Sequence, residues 1–235
     1  MKDHLPIRAL TRVFVPGASP EDAIELPQEE IDKIRKVLRL SSGAEIGVLP
    51  NDGSLIRCRF EGRDATPLEQ VWPSTESPLR LTVAQALPRG DKLDEIIRAC
   101  TEIGVARFVL FPSERTVVKW DAKKTGERIR RLETIAREAC EMCFRTLLPT
   151  FRLFPDLKSV LKEYPSATVL SEVEGVSPKL SAQATQMTLV VGPEGGWASS
   201  ELKQIGDRGV TLGPRVLRVD HAAAAAASIL LLDHD

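Results

Sequence analysis

From residue 79 onward, short apolar runs alternate with segments that have the spacing of amphipathic helices. Strand candidates occupy residues 79–87, 107–111, 150–154, 168–173, 187–191 and 210–212. Helix candidates occupy residues 91–104, 126–144, 156–164, 201–206 and 222–232. This alternation predicts an α/β domain in which a mainly parallel sheet is covered by helices on both faces. Ligands of such sheets bind at the loops that follow the carboxyl ends of the strands.

The helix candidate at residues 91–104 has recognisable ends. Asp91 precedes its first apolar residue, and an aspartate at that position can accept hydrogen bonds from free amides of the first turn. Gly104 follows its last apolar residue, and glycine readily adopts the left-handed conformation that ends a helix. We therefore expect Asp91 to cap the helix and Gly104 to terminate it.

Residues 8–71 have a different pattern, which is typical of a small β-rich unit. Strand candidates lie at residues 12–15, 44–49 and 55–60, and the last two flank an Asp52-Gly53 pair, a strong signal for a hairpin turn. One helix candidate, residues 28–40, interrupts them; we expect its apolar residues to share a buried face and its basic residues to lie opposite. The apolar set is Ile31, Ile34, Val37 and Leu38, and the basic set is Lys33, Arg35, Lys36 and Arg39.

The segment between these two patterns, residues 73–78, is rich in Pro and Ser and lacks periodicity, as linkers do. We therefore divide the chain into an N-terminal domain of residues 1–72, a linker of residues 73–78 and a C-terminal domain of residues 79–235.

The net charge of −1 gives no global basic field, so local clusters of Arg and Lys must bind RNA if RNA is the partner. Residues 1–10 contain no apolar signal core, and no stretch reaches the roughly eighteen apolar residues of a membrane-spanning helix. Four cysteines in 235 residues do not make a disulfide framework. We expect a cytoplasmic protein with reduced thiols, no membrane association and no metal site.

The apolar run at residues 188–191 leads directly into Gly192-Pro193-Glu194-Gly195-Gly196. The run is typical of a buried strand, and the glycines after it let backbone amides approach a ligand closely. The spacing matches neither the dinucleotide-binding fingerprint nor the P-loop. A plain strand-to-helix turn is the alternative for a glycine cluster taken alone.

A loop of similar chemistry follows the next strand candidate: Leu212-Gly213-Pro214-Arg215-Val216-Leu217-Arg218. Two Gly-Pro turns that each follow a strand of one parallel sheet can form two walls of one pocket. Six consecutive alanines come soon after this loop. They favour a helix, and their small side chains suit close packing at a chain crossing or a subunit contact.

Together, the two C-terminal motifs strongly resemble those of the RsmE-type family, SPOUT-class enzymes that methylate N3 of a uridine in 16S ribosomal RNA. Weaker similarity extends over nearly the whole chain, at residues 36–39, 87–92, 101–105, 113–115 and 137–140. The resemblance implies a PUA-like N-terminal β-barrel, a C-terminal domain with a deep trefoil knot, and a homodimer that acts on small-subunit ribosomal RNA.

The resemblance also implies that S-adenosylmethionine binds among loops that begin at Leu170, Gly192 and Leu212. The implied cofactor-binding residues are Leu170, Ser171, Glu172, Gly192, Pro193, Glu194, Gly195, Gly196, Leu212, Gly213, Pro214, Arg215, Val216 and Leu217.

The chain departs from the family pattern at several places. Lys33 stands where a His usually precedes Val-Leu-Arg, and the run ending at Arg145 reads Glu-Met-Cys-Phe-Arg where Gln-Ser/Cys-Gly-Arg is common. Ala198 replaces the usual Ser of a helix start, so Ser199 or Ser200 would have to cap that helix instead. After the third loop, residues 219–221 read Val-Asp-His where the family usually shows Thr-Glu-Thr.

Methyl transfer to an imide nitrogen requires removal of the N–H proton, and negative charge then develops on the uracil carbonyl oxygens. A nearby Arg would stabilise that charge, and Arg218 is the first candidate. Asp220 and Glu194 are the candidate proton acceptors. A structural ion pair between Arg218 and Asp220 at a helix start is the alternative.

Two basic stretches, around residues 33–39 and 123–137, favour RNA as the partner, although a solvated helix face explains either stretch alone. The residues expected to contact RNA are Arg8, Arg12, Lys33, Arg35, Lys36, Arg39, Lys92, Arg115 and Arg145. Two other functions remain open from the sequence. One is a SPOUT methyltransferase with a different RNA target, and the other is a non-catalytic ribosome-binding or assembly protein that has kept the fold.

Overall fold

A computed structural model describes residues 4–118, 120, 122–171, 178–182 and 184–232. The chain divides into two compact units, the first formed by residues 1–76 and 140–148 and the second by residues 77–139 and 149–235. Residues 140–148 therefore belong to the first unit, although the boundaries drawn from the sequence place them in the C-terminal domain.

Five strands of the described residues form the sheet of the first unit: β1 (Thr11–Phe14), β2 (Ile24–Glu25), β3 (Glu45–Leu49), β4 (Leu55–Phe60) and β5 (Asp64–Val71). Their order is β1-β3-β4-β5-β2. The β1–β3 pair is parallel, and the other pairs are antiparallel. The predicted strands at residues 12–15, 44–49 and 55–60 are confirmed within one residue, whereas β2 and β5 were not predicted individually.

The predicted turn between β3 and β4 is confirmed. The Asp52 carboxylate accepts a hydrogen bond from the Ser54 amide at 2.8 Å. Gly53 has φ +98°, a conformation that glycine adopts without steric cost.

Residues 140–148 join the first unit because they complete part of its core. Cys140 and Phe144 pack with Phe14, Leu49 and Leu55 in one buried cluster. Phe144 has φ +67°, the left-handed conformation in which glycine commonly ends a helix. Burial of the phenyl ring offsets the strain of this conformation.

The predicted helix at residues 28–40 is correct only in its first half. Helix α1 (Gln28–Asp32) passes into a π-helical turn, residues Lys33–Val37, in which the Leu38 amide donates to the Lys33 carbonyl five residues earlier at 3.0 Å. The wider turn changes the direction of the following side chains. Ile31 and Ile34 are buried as predicted, but Val37 and Leu38 are 72% and 40% exposed, so their assignment to the buried face was wrong.

A parallel sheet forms the centre of the second unit. Its described strands are β6 (Arg80–Ala86), β7 (Arg107–Phe111), β8 (Thr150–Leu153), β9 (Thr168–Leu170), β10 (Gln186–Val191) and β11 (Gly209–Val210), in the order β11-β9-β10-β6-β7-β8. Every pair of neighbours is parallel, as the alternation of strands and helices predicts. After β8, the chain crosses to the other side of β6, and this reversal creates a crevice at the carboxyl edge.

Helices cover both faces of this sheet, as predicted. The described helices are α2 (Lys92–Ile103), α3 (Ala122–Cys143), α4 (Leu157–Glu163), α5 (Ser199–Ile205) and α6 (Val219–Leu231). Alternate strand residues enter different cores: Val83 packs with residues of α2, α3 and α6, whereas Ala84 packs with residues of α4 and α5. Among the described helices, none is long and apolar enough to cross a membrane.

The helix ends follow the sequence only in part. Gly104 ends α2 with φ +116°, as predicted. Asp91 occupies the position before α2, but its side chain accepts no capping hydrogen bond. Asp156 does cap α4, accepting from the Ser159 amide at 2.7 Å, an interaction that contributes about 1 kcal/mol.

Helix α5 begins without a capping serine. Ala198 holds the cap position, and Ser199 and Ser200 lie inside the helix, so their predicted role as caps was wrong. The Glu201 side chain still reaches back to the start of the helix. One of its carboxylate oxygens accepts from the Ala198 amide at 2.9 Å, and the other accepts from the Glu114 amide at 3.1 Å.

Candidate active site

A cavity of about 600 Å³ opens at the carboxyl edge of the parallel sheet. The residues that line it come from the ends of β9, β10 and β11, from the loops after them, and from the start of α6. Lys92, Arg115 and Leu202 of α5 line it as well; the others are Leu170, Ser171, Val191, Gly192, Pro193, Glu194, Gly196, Trp197, Val210, Thr211, Leu212, Val216, Leu217, Arg218, Val219 and Ala222.

Strand pairing brings these loops together. Val190 of β10 pairs with Val169 of β9, and Leu170 pairs with Val210 of β11. Because all these strands are parallel, their carboxyl ends lie at one edge, and the segments that follow them must be neighbours. The predicted pocket between the Gly192 and Leu212 loops follows directly from this topology.

The two ends of the glycine loop after β10 differ in the space around them. Gly192 has no room for a side chain, whereas the backbone at Gly196 is unobstructed. A Cβ on Gly192 would lie 3.0 Å from the Trp197 ring. Gly196 has φ +65°, and no atom lies within 4 Å of the position that its Cβ would take. Gly192 is therefore required by packing, whereas Gly196 is required by its backbone conformation and leaves the chain accessible from the cavity.

Trp197 is a wall of the cavity that the sequence did not predict. Its indole N–H donates to the Leu170 carbonyl at 2.9 Å, which ties the loop after β10 to the end of β9. Its ring stacks on Phe111 with centroids 6.4 Å apart. The available signal was a tryptophan directly after Gly195 and Gly196 in a strand-to-helix loop.

The third loop contributes mainly apolar side chains. Leu212, Val216 and Leu217 line the cavity, and Val216 is 83% exposed. Gly213, Pro214 and Arg215 shape the turn between them but do not line the cavity, nor does Gly195 of the glycine loop. Glu172, the remaining residue of the expected cofactor set, lies outside the described residues.

Glu194 lines the cavity and also joins two loops. One oxygen of its carboxylate accepts from the Arg89 amide at 3.0 Å and from Lys92 Nζ at 2.8 Å. Partial burial acts to raise the pKa of this carboxyl, but the hydrogen bonds from Lys92 and from backbone amides outweigh it and lower the pKa. Glu194 is therefore an ionised acceptor near neutral pH.

Arg218 and Asp220 form the ion pair that the sequence allowed. Arg218 Nε lies 3.1 Å and Nη2 lies 2.8 Å from the two carboxylate oxygens. Burial acts to raise the pKa of Asp220, but the hydrogen bonds from Arg218 and from the Asp220 amide lower it overall. The Arg218 side chain is 71% exposed and lines the cavity, whereas Asp220 does not line it.

Two predicted RNA contacts, Arg115 and Lys92, line the cavity. Arg115 is exposed, and its Nη1 donates to the Gly195 carbonyl at 2.6 Å. Lys92 is bound to Glu194, as described above. Both side chains therefore bind residues of the glycine loop and hold it in place.

Three predicted RNA contacts are committed to internal bonds of the first unit. Arg12 donates to the carbonyls of Arg8, Leu10, Glu141 and Met142, and its guanidinium lies 4.7 Å from the centre of the Phe144 ring. Arg145 is 4% exposed and binds Glu76 at 2.7 Å. Lys33 pairs with Glu141. These three side chains therefore already have partners within the first unit, and their contact with RNA stays a prediction.

The other predicted contacts of the first unit, Arg8, Arg35, Lys36 and Arg39, are exposed. Lys36 forms a surface pair with Asp32 at 2.9 Å. Such pairs contribute little in water, so this contact leaves the lysine available to a phosphate.

The Cys140-x-x-Cys143 spacing does not mark a thiol site. Cys140 is buried, and burial raises its pKa to about 12, so its reactive thiolate is scarce. Cys143, three residues later, is exposed. Within the described part of the chain, no cluster of three or more His, Cys, Asp or Glu residues is arranged to hold a metal ion.

Comparisons with known proteins agree with this geometry. A family model for an RNA methyltransferase domain matches residues 75–231. The ribosomal RNA small subunit methyltransferase E of Bacillus subtilis (strain 168) is 31% identical over 222 residues, which cover 86% of this chain and 87% of the relative. The protein of that name from Synechocystis is 32% identical and covers 94% of this chain and 76% of the relative.

Among solved structures, a ribosomal RNA small subunit methyltransferase E from Neisseria gonorrhoeae, bound to S-adenosyl methionine, superposes with a TM-score of 0.84. It is 26% identical in sequence, and the match covers 93% of this chain and 95% of that one.

Proposed function

The chain belongs to the RNA methyltransferase family, and we propose that it transfers a methyl group from S-adenosylmethionine to N3 of a uridine in 16S ribosomal RNA of the small subunit. The names of the relatives support the substrate class, and the ligand of the Neisseria structure supports the cofactor. The acceptor atom comes from the resemblance of the two C-terminal motifs to the RsmE-type family.

The observation that carries the proposal is the convergence of separate loops on one cavity. The Gly192 and Leu212 motifs lie 20 residues apart in the sequence, yet both line the cavity together with the end of β9. If the glycine loop only connected β10 to α5, nothing would require the Leu212 loop to line the same cavity.

The cavity fits S-adenosylmethionine in size and chemistry. Its volume of about 600 Å³ falls in the usual range for ligand sites, and Leu170, Leu212 and Leu217 offer apolar walls for a flat ring. The open backbone at Gly196 allows close hydrogen bonding. When bound, the cofactor supplies an electrophilic methyl group on a positively charged sulfur, and the ionised Glu194 suits that charge.

We assign distinct roles to the three candidate catalytic residues. Arg218 lines the cavity with an exposed guanidinium and would donate to a uracil carbonyl oxygen as negative charge develops there. Glu194 is the proton acceptor because it lines the cavity as a carboxylate. Asp220 acts as a positioning residue, since its two hydrogen bonds fix Arg218 and it does not line the cavity.

We extend the proposal to the architecture of the molecule. Residues 1–72 would form a PUA-like RNA-binding barrel, to whose core residues 140–148 contribute, and residues 73–78 would form a linker. The rest of residues 79–235 would form a SPOUT domain whose cofactor loops form a trefoil knot. Ile229 of α6 is 41% exposed and Leu232, directly after the helix, is 56% exposed; a second copy of the chain in a homodimer would cover them. We place the protein in the cytoplasm, where the RNA of the small subunit is found.

Methyl transfer in vitro tests the proposed function directly. The purified protein is incubated with S-adenosylmethionine labelled in its methyl group and with small ribosomal subunits that lack the modification. We expect label in 3-methyluridine of the small-subunit RNA. Label in a ribose 2′-O-methyl group or in tRNA would replace this target with another, and cofactor binding without transfer to any RNA would indicate a non-catalytic binding protein.

A further inference from the structure

We propose that Glu141 is a positioning residue for RNA binding: it anchors Lys33, and through Lys33 it holds the exposed cations of residues 35–39 in the orientation that meets the RNA. This inference rests on the proposed function. It assigns Lys33 to the support of the RNA-binding surface rather than to a phosphate contact.

Glu141 connects separate parts of the first unit. It is 5% exposed, and one oxygen of its carboxylate accepts from the Phe14 amide of β1 at 3.1 Å. The other oxygen pairs with Lys33 Nζ. The main-chain carbonyl of Glu141 accepts from Arg12 Nε at 2.8 Å. A buried carboxylate with this many partners fixes whatever it binds, because each lost partner would leave buried charge unsatisfied.

Lys33 is the first residue of the π-helical turn and has two functions in it. Its ammonium group lies between two buried carboxylates, pairing with Glu141 and lying 3.7 Å from Glu30. Its carbonyl accepts the Leu38 amide at 3.0 Å, the bond that closes the turn. Fixing the Lys33 side chain therefore fixes the residue from which the wide turn is built.

Beyond the buried Ile34, the residues that follow Lys33 need such an anchor. Arg35, Lys36, Val37, Leu38 and Arg39 are all exposed, so little packing holds them. Arg39 has φ +55°, an uncommon conformation for a residue with a side chain. Backbone strain of this kind persists only where the surroundings enforce it, and it is frequent at binding sites. A π-helical turn is itself a feature that often occurs at functional sites.

The direction in which RNA affinity changes when the negative charge of Glu141 is removed tests the proposal. If Glu141 acted on RNA only through its negative charge, the Glu141→Gln variant would bind RNA more tightly. If Glu141 positions the segment, the variant should bind more weakly. The glutamine oxygen can still accept from the Phe14 amide, but its NH₂ group then faces the Lys33 ammonium, so the anchor is lost while the bond to β1 remains.

The experiment compares Glu141→Gln with Glu138→Gln, an equal charge change at an exposed residue of the same helix. Fluorescence anisotropy measures affinity for a small-subunit RNA fragment, and steady-state kinetics measure KM for RNA and kcat. We expect Glu141→Gln to raise both Kd and KM for RNA fivefold or more, with kcat and the Kd for S-adenosylmethionine unchanged. Glu138→Gln should leave all four values unchanged. Equal or tighter RNA binding by Glu141→Gln would overturn the proposal.

A second variant keeps the test decisive if Glu141→Gln folds poorly. Lys33→Gln removes the anchor from the other side, so it should weaken RNA binding by a similar factor, and the double variant should be no worse than either single one. The salt dependence of binding should keep its slope in Lys33→Gln. A slope reduced by about one would mean that Lys33 contacts a phosphate and that the proposal is wrong. Because anisotropy needs no turnover, these results stand even if the wild-type protein methylates a different base.

Discussion

At the scale of single residues, the glycine loop illustrates how one residue type serves different needs. Gly192 has no room for a side chain because Trp197 packs on it, so its loss would disturb the loop after β10. Gly196 has open space but a positive φ, so its loss would both strain the backbone and place atoms at the cavity wall. Variants of Gly196 therefore probe the cavity only when the strain is controlled for.

We predict that Gly196→Val abolishes S-adenosylmethionine binding, with at least a hundredfold rise in Kd measured by calorimetry, while the fold persists. The matched control is Gly206→Val. Gly206 also has a positive φ (+55°) and open space around its Cβ position, but it does not line the cavity. The control should lose stability yet keep cofactor affinity. Equal affinities in Gly196→Val and the wild type would exclude the glycine loop as the cofactor wall.

The catalytic assignments lead to a prediction about pH. The carboxyl pKa values of Glu194 and Asp220 both lie below their ordinary values, so both groups are ionised throughout the neutral range. The wild-type rate should therefore not fall near neutral pH through protonation of either acid. Removing the proton acceptor by Glu194→Gln should leave low activity that recovers as pH rises, because the uracil imide then ionises unaided.

Arg218→Ala should lower kcat by about 10² to 10³, as loss of one transition-state donor typically does. Asp220→Asn should lower kcat less and without recovery at high pH, since it only loosens Arg218. The measurement is a pH–rate profile of each variant at saturating substrates. Recovery at high pH in Asp220→Asn but not in Glu194→Gln would exchange the two roles.

Residue roles in the first unit were the hardest to predict. Arg12, Lys33 and Arg145 look like any other basic residues in the sequence, but their partners lie 129, 108 and 69 positions away. No local pattern reports such contacts. The sequence could indicate which cations were available for RNA, whereas only the fold decides which of them are already bound.

At the scale of elements, the strongly periodic segments were predicted well and the irregular ones were not. Strand β7 is an apolar run buried on both faces, and such a run is recognisable without an alignment. Strand β5 contains Pro67 and several exposed polar residues, so it has neither an apolar run nor a clear alternation. The π-helical turn was missed because its residues also fit an ordinary helical pattern.

The exposed part of that turn carries the prediction at this scale. Replacing Arg35 and Arg39 with Gln should weaken RNA binding and lower the slope of log Kobs against log salt by about one per lost phosphate contact. Cofactor affinity should not change. The control is the double variant Arg63→Gln and Lys158→Gln, which removes the same charge from exposed positions outside the turn. An identical salt slope in both double variants would assign the turn to solvent.

At the scale of the whole molecule, the composite first unit is the feature least accessible from sequence. Residues 140–148 follow α2 and most of α3 in the chain, yet Cys140 and Phe144 lie in a core with Phe14. A linker composition such as that of residues 73–78 shows where one sequence pattern ends. It does not show that a later segment of the chain packs back into the first unit. The cavity, in contrast, was predictable because parallel strands place their following loops at one edge.

The central claim is that this chain methylates N3 of a uridine in small-subunit ribosomal RNA. The most direct test is nucleoside mass spectrometry of that RNA from a strain in which the gene is deleted. We predict that 3-methyluridine disappears from the small-subunit RNA, that the wild-type gene restores it, and that the Gly196→Val gene does not. Undiminished 3-methyluridine in the deletion strain, with a different methylated nucleoside lost, would contradict the assigned target.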